Sequence, residues 1–287
     1  MLFFGKLKKM KINLWGVRGS IPTSGSDTKH YGGRTSSILV SEDGNLLVLD
    51  AGSGIQEFNS INTTTYKRVD ILLTHLHMDH IQGLGFFSPF FVPDLEVHIW
   101  GPLSSRISLH SRISRYLSPP LFPVVIRDLP CNLMLHEIGN SQFEIGHFKI
   151  QSAFVIHPGP TVGYRVTGKK SVFTYIPDHE PELGRNGIIK DPKWISGYDL
   201  AAGANLLYHD GQYTVEEYNK KRGWGHTSMV DTLLYASLAK VKHLLIAHHD
   251  PLHTDTQLDE MFIQLQKQHD YSLRYEMAVE GMEINLP

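Results

Sequence analysis

Thr74-His75-Leu76-His77-Met78-Asp79-His80 closes the β-branched, apolar run Val69 to Leu73 with four metal-capable side chains in six residues. Divalent ions such as zinc take imidazole and carboxylate ligands, and a hydrolytic site needs several of them converging with room left for water. Residues two apart in an extended segment point the same way, so His75 and His77 are expected to share one ion. Asp79 and His80, where the chain turns toward Ile81, then face a second. Further donors are expected at the ends of other strands. His157 stands before Pro158, Asp178 follows Tyr175-Ile176-Pro177, and His248-His249 follows Leu244-Leu245-Ile246-Ala247. An aspartate can bridge two ions through its two oxygens, which makes Asp178 the natural shared ligand. His157 would complete the first site and His248 the second, with His249 as the rival for that place.

Working outward, Lys11 to Leu14, Ser36 to Val40 and Leu46 to Leu49 read as a meander separated by turn-rich stretches, and Glu96 to Trp100 as a further strand. Leu103 to Leu117 has helical spacing, and Ile81 to Phe91 is a glycine-interrupted apolar helix or turn. A second meander follows in Phe143 to Ile145, Phe148 to Ile156, Thr161 to Val166 and Ser171 to Ile176. After it come a strand at Asn205 to Tyr208, a helix from Val215 to Lys221, a helix from Thr227 to Lys240 capped by Thr227 or Ser228, and a strand from Val241 to Ala247. The pattern predicts two β-layers sharing one core with helices outside, in a single domain over 11–287 behind a flexible leader over 1–10. Met10 is a candidate translation start.

Composition narrows the class. The chain has 287 residues, 41% of them hydrophobic, and a formal net charge of −2, so it lacks the global basicity that extended nucleic acid demands. One cysteine, Cys131, excludes an intrachain disulfide and fits a reducing cytoplasm. No apolar run approaches the roughly 18 residues that span a bilayer. Seventeen histidines are many for this length. His98, His110, His136 and His147 have no partners at ligand spacing and read as surface or satisfied residues.

Taken together, these residues resemble the metallo-β-lactamase superfamily, and within it the ribonuclease Z-like and cyclic-phosphodiesterase-like branch. Leu49-Asp50-Ala51-Gly52, the histidine cluster, Ile99-Trp100-Gly101-Pro102, Phe154 to His157 and Tyr175 to Asp178 follow that branch's order. Leu206-Leu207-Tyr208-His209-Asp210-Gly211 resembles the His-Glu-Ala-Thr stretch of ribonuclease Z, and Gly225-His226-Thr227-Ser228 its Gly-His-Ser-Thr. The interval from His226 to His248 (248 − 226 = 22 residues) matches the branch and favours His248 over His249. The resemblance implies a four-layer αββα sandwich of two mixed β-sheets flanked by helices. It also implies a pair of divalent ions, zinc foremost with manganese or iron as alternatives, and His226 as the acid for the leaving group with Asp210 as its carboxylate partner.

Two departures stand out: Asp210 replaces a glutamate, and the 21 residues between His157 and Asp178 (178 − 157) leave no room for a tRNA-gripping arm. The expected reaction is therefore hydrolysis of a small or cyclic phosphodiester, such as a cyclic nucleotide, by a metal-bridged hydroxide, with Asp79 taking up the proton of water. Hydrolysis of a thioester or lactone, ribonuclease Z-like RNA cleavage, and a non-enzymatic metal sensor are the alternatives, and a homodimer is left open. Arg18 in the Gly16–Ser20 loop is a candidate phosphate clamp unless that loop is a tight turn. His179 and Trp224 flank site residues and are expected to shape substrate choice. Phe86, Phe87, Phe90 and Phe91 either wall a base pocket or fill the core.

Overall fold

A computed structural model describes residues 9–62, 65–183, 187–189, 191–268 and 272–287. Most of the expected leader, residues 1–8, lies outside the described residues. Its last residue, Met10, corrects the boundary, because its side chain is fully buried in the core and its carbonyl accepts from Leu286 N at 2.8 Å.

The first six strands are Lys11–Gly16 (β1), Ser37–Glu42 (β2), Asn45–Leu49 (β3), Arg68–Leu72 (β4), Glu96–Pro102 (β5) and Asn132–Ile138 (β6). Eight more follow: Ser141–Ile145 (β7), Phe148–Phe154 (β8), Val162–Thr167 (β9), Val172–Ile176 (β10), Leu206–Asp210 (β11), His243–Ala247 (β12), Arg274–Met277 (β13) and Glu283–Asn285 (β14). One seven-stranded sheet runs β14-β1-β2-β3-β4-β5-β6 and the other β13-β12-β11-β10-β9-β8-β7. Each is mixed in the same way. An antiparallel meander, β1-β2-β3 or β8-β9-β10, hands its last strand to a parallel run, β4-β5-β6 or β11-β12-β13.

Side-chain period decides which face is buried. In β1, Ile12 and Leu14 point inward and are fully buried, while Lys11 and Asn13 between them are partly exposed. In β12 all five residues are buried, as expected of a parallel strand covered on both faces. Ile12, Leu14, Ile38, Val40 and Leu49 of the first sheet meet Phe148, Tyr164, Val166, Tyr175 and Tyr208 of the second in the central core. Helices cover the outer faces, giving four αββα layers. Met78–Ile81 (α1) and Leu109–Tyr116 (α2) accompany the first sheet; Tyr198–Ala201 (α3), Val215–Lys221 (α4), Met229–Leu238 (α5) and Asp255–Gln268 (α6) accompany the second. Helix α2 is shorter than the Leu103 to Leu117 pattern suggested, since Ser108 caps it by accepting from Ser111 N and so sets its start. Ser228, one of two expected caps, opens α5 by accepting from Asp231 N at 3.1 Å.

Phe148 sits wholly inside the layer where the sheets meet. Phe148→Ala should cost about 3–5 kcal/mol of stability, read as a lower urea midpoint at unchanged slope. A loss below about 1 kcal/mol would place this residue outside a tightly packed core.

Candidate metal centre

Every parallel strand at the centre of the two sheets ends near one point. Asp50 follows β3, the histidine cluster follows β4, Asp178 follows β10, Asp210 ends β11 and His248 follows β12; antiparallel β8 adds His157. Ligand-type atoms of His75, His77 and His157 lie within 4.8 Å of one another, as do those of Asp79, His80, Asp178 and His248. Asp178 sits between the two groups: its Oδ2 is 3.8 Å from Nε2 of both His75 and His157 and 3.2 Å from His248 Nε2, and its Oδ1 is 3.0 Å from His80 Nε2. His248 Nε2 is also 3.3 Å from Asp79 Oδ2. His249, its rival, turns away and donates Nε2–H to the Ala278 carbonyl at 2.8 Å.

The imidazoles are aimed by bonds on their outer nitrogens. His80 Nδ1 donates to Asp50 Oδ2 at 2.8 Å and His157 Nδ1 to the Gly225 carbonyl at 2.7 Å. Thr74 Oγ1 gives its proton to Asp50 Oδ2 at 2.9 Å, so it accepts from His75 Nδ1 at 3.0 Å. In all three rings Nε2 is thereby left as an inward lone pair, the tautomer that a metal ligand requires. The buried Nε2 atoms of His75 and His80 and Oδ1 of Asp178 make no hydrogen bond.

Charge agrees with that reading. Burial and the neighbouring His80 push His75 well below its usual pKa, and burial takes His157 down to about 4, so both are neutral donors. Burial opposes charge on Asp178 too, yet His248, His80 and His75 outweigh it and hold the carboxyl well below its usual range. His80 and His248, pressed by burial toward neutrality, are instead raised by Asp178 and Asp79, His248 to about 9. Buried carboxylates here call for positive charge, which divalent ions supply without protonating the imidazoles. The donor set fits such ions.

Beside the centre, His226 Nδ1 donates to Asp210 Oδ2 at 2.7 Å, and its ring lies 4.8 Å from His248 and 5.2 Å from His157, centroid to centroid. Asp210 is itself held by His179 N at 3.2 Å and Gln212 N at 3.0 Å. Gly19 stacks its backbone on the His248 ring where a Cβ would collide, and Ser20 N donates to Asp79 Oδ2 at 2.7 Å.

Two expectations are corrected. Arg18 clamps no phosphate: it is fully buried, donating Nε–H to Gly32 O at 2.8 Å and Nη1–H to the carbonyls of Asp250 and His253. His179 does not face substrate, because its ring is buried against His209 and Tyr235, with Nδ1 2.9 Å from His209 Nε2. Of the four phenylalanines, Phe87 and Phe90 are core residues beneath the first sheet, packed with Phe58.

Asp50, Glu180 and Glu182 went unassigned. Each is fully buried or nearly so; Asp50 directly follows β3, the kind of position that singled out Asp178, whereas Glu180 and Glu182 lie further along the loop after β10.

The chain belongs to the beta-lactamase superfamily, whose domain model matches residues 45–249. Ribonuclease Z of Azobacteroides pseudotrichonymphae is 24% identical over 280 residues, covering 87% of this chain and 91% of that protein. Among solved structures, the metallo-beta-lactamase fold protein YhfI from Bacillus subtilis superposes with a TM-score of 0.69 at 17% identity, covering 96% of this chain and 99% of its own. A diphosphatase from the PhnP family superposes at 0.66 and 18% identity, covering 97% of each chain. These structural likenesses show the fold. Family membership and the His/Asp cluster together imply divalent metals.

Asp50→Ala should weaken metal retention about 10–100-fold, the usual cost of losing a ligand's outer hydrogen-bond partner. Competition with chelators of graded strength measures it, and wild-type retention would show that the Asp50 network does not orient the donors.

Proposed function

We propose that the chain is a di-metal phosphodiesterase acting on a small or cyclic phosphodiester such as a cyclic nucleotide. The supporting observation is the His226–Asp210 pair, 2.7 Å between Nδ1 and Oδ2, set beside two groups of donors, all buried but His77, with Asp178 of the second group 3.8 Å from His75 and His157 of the first. In this reading His75, His77 and His157 hold one ion, Asp79, His80 and His248 the other, and Asp178 both. Two divalent ions there, zinc foremost with manganese or iron as alternatives, would polarise phosphoryl oxygens and make a water acidic enough to attack phosphorus near neutral pH.

The chain's own groups handle protons and orientation. Asp79 takes up the proton that the attacking water sheds. The imidazole of His226, oriented at Nδ1 by Asp210, presents Nε2–H to the departing alkoxide. A thioester departs as a thiolate, a far weaker base than an alkoxide, and needs this proton less, which is why the pair favours a phosphate ester over a thioester. The PhnP-family neighbour, described as a diphosphatase, agrees with a small substrate. The ribonuclease Z relatives favour RNA as the second reading. Against it stand the −2 net charge and the short His157–Asp178 interval. Placement in the cytoplasm and a single domain, with Met10 included in it, belong to the same proposal; among the described residues no helix is long and apolar enough to cross a membrane.

The test assays one preparation of known metal content against bis(p-nitrophenyl) phosphate, 2′,3′-cyclic AMP, a tRNA precursor, a thioester and a lactone. The cyclic phosphate should be the best substrate; a preference for thioester or lactone, or fewer than one bound metal per chain, would sink the proposal. His226→Ala should lower kcat on phosphodiesters by about 10²–10⁴ with metal content unchanged, and loss of metal instead would make His226 a ligand.

A further inference from the structure

Trp224 is an unusual residue to leave in water: its side chain is 63% exposed, yet the backbone on either side is held by a buried group. Glu180 accepts from Gly223 N at 2.7 Å through Oε1 and from Gly225 N at 2.8 Å through Oε2, and Tyr218 OH donates to the same Oε1 at 3.1 Å. Glu180 is fully buried, so the fold desolvates a carboxylate to fix this tripeptide. Gly223 and Gly225 adopt φ of +88° and +92°, conformations that side chains resist. At Gly225 a Cβ would also run into Pro158 and the His157 ring.

The loop so fixed lies against the metal centre. Gly225 O accepts from His157 Nδ1 at 2.7 Å, and on the other side of that imidazole His157 Nε2 is 3.2 Å from His77 Nδ1. One ring therefore separates the Gly223–Gly225 backbone from the histidine cluster, where Met78 follows His77 and is 54% exposed. Trp224 precedes His226 by two residues, which limits their Cα separation to about 7 Å. Exposed Trp224 and exposed Met78 are thus the chain neighbours of Gly225 and His77, the two residues that His157 touches on its opposite sides, and His77 is itself exposed.

We propose that Trp224 and Met78 form an apolar subsite that takes a planar aromatic group, a nucleobase, attached to the phosphate that the centre binds. Indole stacking suits such a group because every base offers a π-face, and a thioether adapts to its opposite face or edge. Glu180 is the positioning residue of this subsite. The proposal deepens the phosphodiesterase reading and rests on it for the identity of the phosphate-bearing ligand.

Isothermal titration of the metal-loaded protein with AMP and with ribose 5-phosphate isolates the contribution of the base. AMP should bind about tenfold or more tightly than ribose 5-phosphate. Trp224→Ala should bring that ratio close to one, Met78→Ala should reduce it less, and Trp224→Phe should keep most of it. In parallel, the KM for 2′,3′-cyclic AMP relative to glycerol cyclic phosphate should rise by the same factor in Trp224→Ala. A wild-type ratio near one, or a ratio unchanged in Trp224→Ala, overturns the subsite. So does a change confined to oligomeric state, which would make Trp224 a contact between copies of the chain. If neither cyclic phosphate is cleaved but the AMP ratio collapses in Trp224→Ala, the phosphodiesterase reading falls and the subsite stands.

Discussion

Asp50 carries the site. Its carboxylate is fully buried, and its two oxygens accept four hydrogen bonds: from Thr74 N at 2.7 Å and Thr74 Oγ1 at 2.9 Å, from His80 Nδ1 at 2.8 Å, and from Tyr175 OH at 2.9 Å. Desolvating a lone carboxylate costs several kcal/mol, and these four charge-assisted bonds, one to Oδ1 and three to Oδ2, offset it. Three of the donors belong to the chain leaving β4, but Tyr175 lies on β10 in the opposite sheet, three residues before Asp178. One interaction therefore sets the histidine cluster of the first sheet against Asp178 of the second. Tyr164 OH repeats the tie by donating to Leu73 O at 2.6 Å. Asp50 and His248 take φ of +56° and +59°, left-handed values that non-glycine residues seldom adopt, and in both cases the surrounding bonds and packing hold the backbone there.

From that tie the electrostatics follow. Two buried carboxylates, Asp79 and Asp178, stand within 3.3 Å of His80 and His248 nitrogens, and the imidazoles are raised in response. His75 and His157, farther from carboxylate oxygens at 3.8 Å, are governed by burial and fall. The centre is thus asymmetric, with a histidine-rich neutral side and a carboxylate-rich side, joined through Asp178. Because the inward nitrogens of His75, His80 and His157 are chosen by outward bonds, the orientation of these three rings is laid down by their neighbours, and removal of those neighbours acts at a distance.

Much of this was legible in the sequence, and what was not has a physical explanation. The cluster could be read because four donors in six residues at a strand end have little structural purpose otherwise. His157, Asp178 and His248 could be read because each follows a β-rich run, and parallel strands deliver their ends to one side. Arg18 misled. A buried arginine and a phosphate clamp have the same local sequence, and only tertiary contact with the carbonyls of Asp250 and His253 distinguishes them. His179 misled for the same reason, since adjacency to Asp178 says nothing about which way a ring turns. Strands β6, β13 and β14 and helix α6 drew no assignment. β14 has three residues, and β6 is half exposed at a sheet edge, so neither carries a strong apolar period.

Asp210, standing where the resemblance implies a glutamate, tests how far that resemblance extends to chemistry. A side chain shorter by one methylene should fall short of an imidazole placed for the longer one, unless backbone or partner moves. Here it does not fall short: Asp210 Oδ2 meets His226 Nδ1 at 2.7 Å. The shorter arm also has less rotational freedom, and its oxygens are occupied by His179 N and Gln212 N as well, so the carboxylate has one orientation available. On the other side, His226 sits at the mouth of a loop that Glu180 pins through Gly223 and Gly225, while Glu182 accepts from Thr227 Oγ1 at 2.5 Å. Both members of the pair are thus held from behind by buried acceptors and amides. Proximity alone would leave the imidazole free to swing; fixed on both sides, it keeps Nε2 as its one route for a proton, which is the condition for an acid to act on a leaving group rather than on solvent.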